Sequence, residues 1–154
     1  MPVSPRKGDT VRIRNAHIAD LPAVERLLAE NDLPLEGVSD NFARFIVAED
    51  EGAVVGAIGL ENFASVALLR SAVVARDHRG TGVGSQLVEQ ALERAEREGV
   101  NEIYLLTTTA EGYFPRFGFD RTERSGVPDA LKASHEFRGA CPETAVVMTR
   151  RGRR

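Results

Sequence analysis

The sequence predicts a single mixed α/β domain, and three observations carry that expectation. Strand-like and helix-like segments follow in the order β, α, β-β-β, α, β, α, β, β, with no internal repeat and no second composition regime across the 154 residues. The run Val66 to Val74 is nearly all apolar, as expected of a central strand buried on both faces. A glycine-rich turn, Arg79-Gly80-Thr81-Gly82-Val83-Gly84, follows it and opens directly into an amphipathic helix.

Taken in order, Met1 to Asp9 carries Pro, Ser, Arg and Lys without an apolar core, and is expected as a flexible leader (1–9) rather than a signal peptide. Val11 to Ala16 alternates as a first strand. Asp20 supplies an N-cap with Pro22 in the first helical turn, and Val24, Leu27 and Leu28 form the buried stripe of a helix ending near Asn31. Leu33-Pro34-Leu35-Glu36-Gly37 breaks it. Phe45 to Glu49 and Ala53 to Leu60 are β-branched, apolar runs joined by an Asp50-Glu51-Gly52 hairpin turn, with Glu61 closing the second strand.

After the glycine turn, Leu87, Val88, Ala91, Leu92 and Ala95 share one helix face and charged residues the other, until Gly99 stops the helix. Glu102 to Thr107 reads as the fifth strand, Ala110 to Phe117 as a short helix and Phe119 to Arg124 as a sixth strand. Asp129 to Ser134 reads as a helical turn and Ala145 to Thr149 as the last strand, so the domain is expected over 10–149. A solvated basic tail (150–154) follows.

Composition narrows the function. Charged residues are 28% and hydrophobic residues 42%, the balance of an ordinary globular enzyme. A net charge of −3 gives no basic field for nucleic acid, and no apolar run approaches a membrane span. The one cysteine, Cys141, has no partner for an intrachain disulfide and forms no metal pattern with the three histidines. The expectation is a cytoplasmic protein with no resident metal, no nucleic-acid partner and no membrane partner.

The glycine turn is the chemical clue. Three glycines in five residues allow positive φ and close backbone approach to a ligand, and the first turn of a helix offers N–H groups without intrahelical partners. Phosphate or pyrophosphate suits such a site. A ligand-free strand-to-helix connection is the plain alternative. A mononucleotide loop would need Gly-Lys-Ser/Thr where Val83-Gly84-Ser85 stands, and a dinucleotide fingerprint would need G-x-G-x-x-G with an acidic residue after the next strand.

Arg79-x-x-Gly82-x-Gly84 instead resembles the R-x-x-G-x-G phosphate turn of the GNAT acetyltransferases. Ala110-Glu111-Gly112-Tyr113-Phe114-Pro115-Arg116-Phe117-Gly118-Phe119 is similar to that family's A-x-x-x-Y-x-x-x-G-F element. The resemblance implies the acyl-CoA N-acyltransferase fold, with a mixed sheet of about six to seven strands whose fourth and fifth strands splay apart. It also implies acetyl-CoA as cosubstrate, its pantetheine along Ala72, Val73 and Val74 and its phosphates on Arg79, Gly80, Thr81, Gly82, Val83 and Gly84. Thr108 replaces the family's asparagine on the pantetheine, and Phe114 stands where a tyrosine usually protonates the thiolate. Homodimers through the C-terminal strands are common in the superfamily, so a homodimer is among the expectations.

Acetylating an amine also requires proton removal. Glu61 is the first candidate base, with an exposed strand-end carboxylate as the alternative; Glu111 and His78 are weaker. Tyr113, next to Phe114, is the candidate acid, although one residue rotates a helical side chain by roughly 100°. Arg70 interrupts an apolar strand, as a fork for an acidic acceptor or as an interior ion pair with Glu61. Finer detail, Gly59-Leu60-Glu61, Ala67-Leu68-Leu69-Arg70-Ser71 and Ser134-x-Glu136-Phe137-Arg138-x-x-Cys141-Pro142, resembles the arsenic-resistance N-acetyltransferases, and Leu69-Arg70-Ser71 also the short N-acetylglutamate synthases. That resemblance implies a small amino-acid-like acceptor, arsenical or phosphinothricin-like, with Arg138, Glu136 and Cys141 near its pocket. Loop salt bridges and a buried thiol are the alternatives for these three. A protein amine as acceptor, and an acyl-CoA-binding regulatory module without turnover, also stay open.

Overall fold

The computed structural model describes residues 10–134, 136–140 and 144–151. Its strands are β1 (Val11–Asn15), β2 (Phe45–Asp50), β3 (Ala53–Phe63), β4 (Val66–Val74), β5 (Glu102–Thr107), β6 (Asp120–Arg121) and β7 (Val146–Arg151), and its α-helices α1 (Leu21–Glu30), α2 (Val83–Arg97) and α3 (Asp129–Lys132). The strands form one sheet in the order β1-β2-β3-β4-β5-β7-β6. Every described pairing is antiparallel except β4 with β5. This is the GNAT fold expected from the sequence, with the apolar run Val66–Val74 as the middle strand.

Alternation along the strands divides the core between two faces. Ile46, Ile58, Leu69, Ile103, Leu105 and Met148 pack with Leu87, Val88, Ala91 and Leu92 of α2. On the other face Phe45, Val47, Ala57 and Val73 meet Val24, Leu27 and Leu28 of α1. Leu68, Tyr104 and Val147 meet Leu131 of α3. The hairpin turn carries positive φ at both Glu51 (49°) and Gly52 (86°), which matches the twist of the flanking strands.

Several expected boundaries shift, each for a local reason. Asp20 precedes α1, but its carboxylate accepts from Arg14 at 2.8 and 3.0 Å and from the His17 N–H at 2.7 Å, so it closes the preceding turn instead of capping the helix. β3 runs on to Phe63, because Glu61 and Asn62 pair with Leu68 and Ala67 of β4; Glu61 lies inside the strand. Only Phe114–Phe117 of the expected helix at 110–117 is helical, as a 3-10 turn ended by Gly118 at φ 89°. The sixth strand shrinks to two residues. β7 includes Arg150 and Arg151, expected in the tail: they pair with Ile103 and Glu102, and Arg150 reaches Glu96 at 3.6 Å. The expected leader and residues 152–154 lie outside the described residues.

Candidate active site

β4 and β5 pair only at Val66–Glu102, Ala67–Ile103 and Leu68–Tyr104. Beyond that point they part, and a cleft of about 810 Å³ opens between Leu69–Val74 on one side and Leu105–Ala110 on the other. The parting coincides with a bulge. Ala57 pairs with Val73 and Gly59 with Arg70, so Ser71 and Ala72 together face Ile58. Ser71 takes the left-handed conformation at φ 58°, the local kink expected where one extra residue enters a ladder. Ala72 is exposed, while Ser71 and Val73 are buried.

The glycine turn forms one end of the cleft. Gly80 and Gly82 have φ of 78° and 91°, and α2 begins at Val83 with Gly82 as its N-cap. Arg79, Gly80, Gly82, Gly84 and Ser85 line the cleft, as do Asn31 to Pro34 from the segment after α1. Arg79 bonds to the Asn31 side chain, and its Nε donates to the Val74 carbonyl at 3.3 Å. Thr81 and Val83 lie outside the lining: Thr81 donates to the His78 carbonyl at 2.5 Å and Val83 is core.

His78 braces this turn and borders the cleft. Its Nε2 lies 2.7 Å from Asp50 Oδ2 and its Nδ1 2.9 Å from Asp77 Oδ1, in a buried setting. The Asp50 hydrogen bond raises its pKa above the ordinary value, Asp77 adds to this, and burial opposes both. A raised folded-state value means the contribution is complete below about 6.5, the unfolded value, and is lost as pH rises through the folded one. Denaturant midpoints of the wild type are therefore expected to fall over that alkaline-going interval. A His78→Gln variant is expected to lack this slope.

Tyr113 stands at the same end. Its hydroxyl is 3.3 Å from Ser85 Oγ, its ring packs edge-on to Phe114 and Phe117, and the Arg116 guanidinium lies 4.5 Å above the ring centroid. Its hydroxyl therefore lies against the start of α2, and Tyr113 borders the cleft there. Tyr113→Phe is expected to leave kcat unchanged and to alter only the affinity for acetyl-CoA. A large fall in kcat with unchanged affinity would contradict this. Phe114 lines the cleft from the core, against Phe119, and Thr108 lines it from an exposed position.

The other end is built on Arg70. Its side chain is wholly buried; Nη1 donates to Glu61 Oε1 at 2.5 Å, Nη2 to the Glu36 carbonyl at 2.6 Å and Nε to Ser71 Oγ at 3.1 Å. Glu136 Oε2 is 3.9 Å from Nε. Of the two sequence readings of Arg70, the interior ion pair with Glu61 is the one observed. Glu61, expected as a base or as an exposed strand-end carboxylate, is buried, paired with Arg70 and absent from the cleft lining. Arg138 is exposed and also outside the lining, so the structure does not bring it to the Arg70 end of the cleft. Cys141 lies outside the described residues. The Glu36 carbonyl was not legible in sequence, since no side-chain pattern marks a main-chain acceptor 34 positions away.

A splayed β4–β5 pair, a bulge at the parting and a glycine turn at the start of α2 define an acyl-transferase class of site. The chain belongs to the acetyltransferase (GNAT) family, whose model matches residues 11–119, and it is an N-acetyltransferase of that type. It is 32% identical over 148 residues to an uncharacterised N-acetyltransferase of Chlorobaculum tepidum, covering 89% of this chain and 95% of that one. It is 33% identical over 87 residues to an amino-acid acetyltransferase of Aeromonas salmonicida, covering 55% of this chain but 20% of that one.

Among solved structures, N-acetylglutamate synthase of Neisseria gonorrhoeae, complexed with coenzyme A and N-acetyl-glutamate, superposes with a TM-score of 0.81 at 23% identity, over 94% of this chain and 35% of that one. The Rv2747 protein of Mycobacterium tuberculosis, in complex with CoA, gives 0.80 at 23% identity over 92% and 99%. The chain thus spans about a third or less of the longer amino-acid acetyltransferases and synthase it matches. Among the described residues no helix is long and apolar enough to cross a membrane.

Proposed function

We propose that the protein transfers the acetyl group of acetyl-CoA directly to the amine of a small amino acid or amino-acid-like toxin, arsenical or phosphinothricin-like. The observation that carries this is the single cleft that joins an anion-binding turn to the β4 bulge. Acetyl-CoA is long and carries its phosphates at one end and its thioester at the other. Turn residues Arg79 to Gly84 would take the diphosphate, and the open edges at Ala72–Val74 and Thr108 the pantetheine, in the manner of an added strand. A main-chain N–H at the bulge would polarise the thioester carbonyl, where the tetrahedral oxyanion develops.

The acceptor class is supported by the relatives, amino-acid acetyltransferases among them, and by the charged floor at Arg70. In this reading Arg70 and Glu61 hold the bulge and the Glu36 segment in place. An N-acetylglutamate synthase-like acceptor is the nearest variant of the same reading. The test is acetyl-CoA-dependent thiol release against glutamate, glutamine, other amino acids, phosphinothricin, an arsenical analogue and short peptides. Turnover with one amino-acid-like amine supports the proposal. Turnover with peptides alone would move the acceptor to a protein amine, and bound acetyl-CoA without any turnover would favour a regulatory module.

A further inference from the structure

We propose that the Ser71 hydroxyl is a second oxyanion donor, holding the acetyl carbonyl oxygen together with a main-chain N–H of the bulge. Ser71 borders the cleft, yet is only 8% exposed. It carries the one hydroxyl of the parted β4 edge, Leu69 to Val74. Its Oγ accepts from Arg70 Nε at 3.1 Å, and this is its one hydrogen bond among the described residues. A hydroxyl has one hydrogen to give and two lone pairs to fill. Arg70 fills a lone pair and leaves the hydrogen unspent. A buried donor of that kind costs stability unless something in the cleft accepts from it.

The setting also makes that hydrogen a good one to donate. Accepting from a guanidinium polarises the O–H bond, as happens along a chain of hydrogen bonds. Arg70 is itself fixed, by Glu61 at 2.5 Å and by the Glu36 carbonyl at 2.6 Å. Oγ is thereby held in place before a substrate arrives. The bulge supplies the second donor. Ser71 and Ala72 together face Ile58, so the ladder leaves main-chain groups of this pair unmatched. Hydroxyl and main-chain donor belong to the same two residues, at the parting where the thioester would lie.

The inference rests on the transferase reading above. The free-base amine attacks the thioester carbonyl carbon, and the carbonyl π pair moves onto oxygen. Ser71 and the bulge N–H donate to that oxyanion. The pair returns as the carbon–sulfur bond breaks with its electrons on sulfur, and the surplus N–H proton passes to the thiolate. Amide and CoA thiol result, and Ser71 keeps its proton throughout.

The test is isotope-edited infrared spectroscopy of bound acetyl-CoA labelled at its acetyl carbonyl, joined to kinetics with the best amine of the panel. In the wild type the carbonyl band is expected at lower frequency than in free acetyl-CoA. Ser71→Ala is expected to keep only part of that shift, to lower kcat by about 100-fold and to leave acetyl-CoA affinity unchanged. Should the Ala variant fail to fold, Ser71→Gly removes the same hydroxyl while suiting φ 58°, and the same losses are expected. A variant with the full wild-type shift overturns the assignment of Ser71 alone, as does an undiminished kcat. Wild-type protein that binds no acetyl-CoA overturns the transferase reading and this inference with it.

Discussion

Arg70→Met is expected to lower the unfolding free energy by about 3–5 kcal/mol, because it removes the cation paired with the buried Glu61 carboxylate. Domains of this kind have only about 5–15 kcal/mol in total, so the urea midpoint should drop well outside error. The loss comes mainly from the Glu61 carboxylate left buried without its cation and less from the bond itself. Arg70→Met with Glu61→Leu should therefore recover much of it, since a packed apolar pair is often as stable as a buried ion pair. A stable Arg70→Met enzyme, altered only in its Michaelis constant for acidic acceptors, would return Arg70 to the role of substrate fork.

Gly82→Val is expected to weaken acetyl-CoA binding by about tenfold or more while the fold persists. At φ 91° a β-branched residue is a backbone outlier, worth about 1–3 kcal/mol of strain, which the turn would relieve by moving. A Cβ there would meet no atom within 4 Å, so the penalty is conformational and local to the turn. Its casualty is the aim of the N–H groups at the start of α2. Isothermal titration with acetyl-CoA reads the affinity and circular dichroism the fold. At Gly84 the reason differs: an added Cβ would stand 3.2 Å from the Tyr113 hydroxyl, so Gly84→Val should act by displacing Tyr113.

Much of the fold was legible because apolar pattern and turn chemistry agree locally. Val66–Val74 announced a two-sided strand, and Leu87 to Ala95 a helix with one buried face. The glycine turn was legible as a strand-to-helix connection, since Gly80 and Gly82 take the positive φ that glycine adopts without strain. Residues 110–124 were less so, because short 3-10 turns and a two-residue strand leave no period to read. The bulge at Ser71 carries no glycine and so no local sign. The Arg70 end of the cleft was legible only as alternatives. Whether Arg70 faces a substrate or Glu61 depends on the pairing of β3 with β4, which extends to Asn62 and Phe63 and carries Glu61 into the interior. That Glu136 borders the cleft 3.9 Å from Arg70 is a tertiary fact that no spacing encodes.

The most direct test of the central claim is amide hydrogen exchange of the wild-type protein with and without acetyl-CoA. The account predicts new protection along Leu69–Val74, along Leu105–Thr108 and in the Arg79–Ser85 turn, where the β4–β5 cleft would hold the cosubstrate as an inserted strand. Saturating acetyl-CoA that protects some other face, and leaves both parted strand edges exchanging as before, would contradict it.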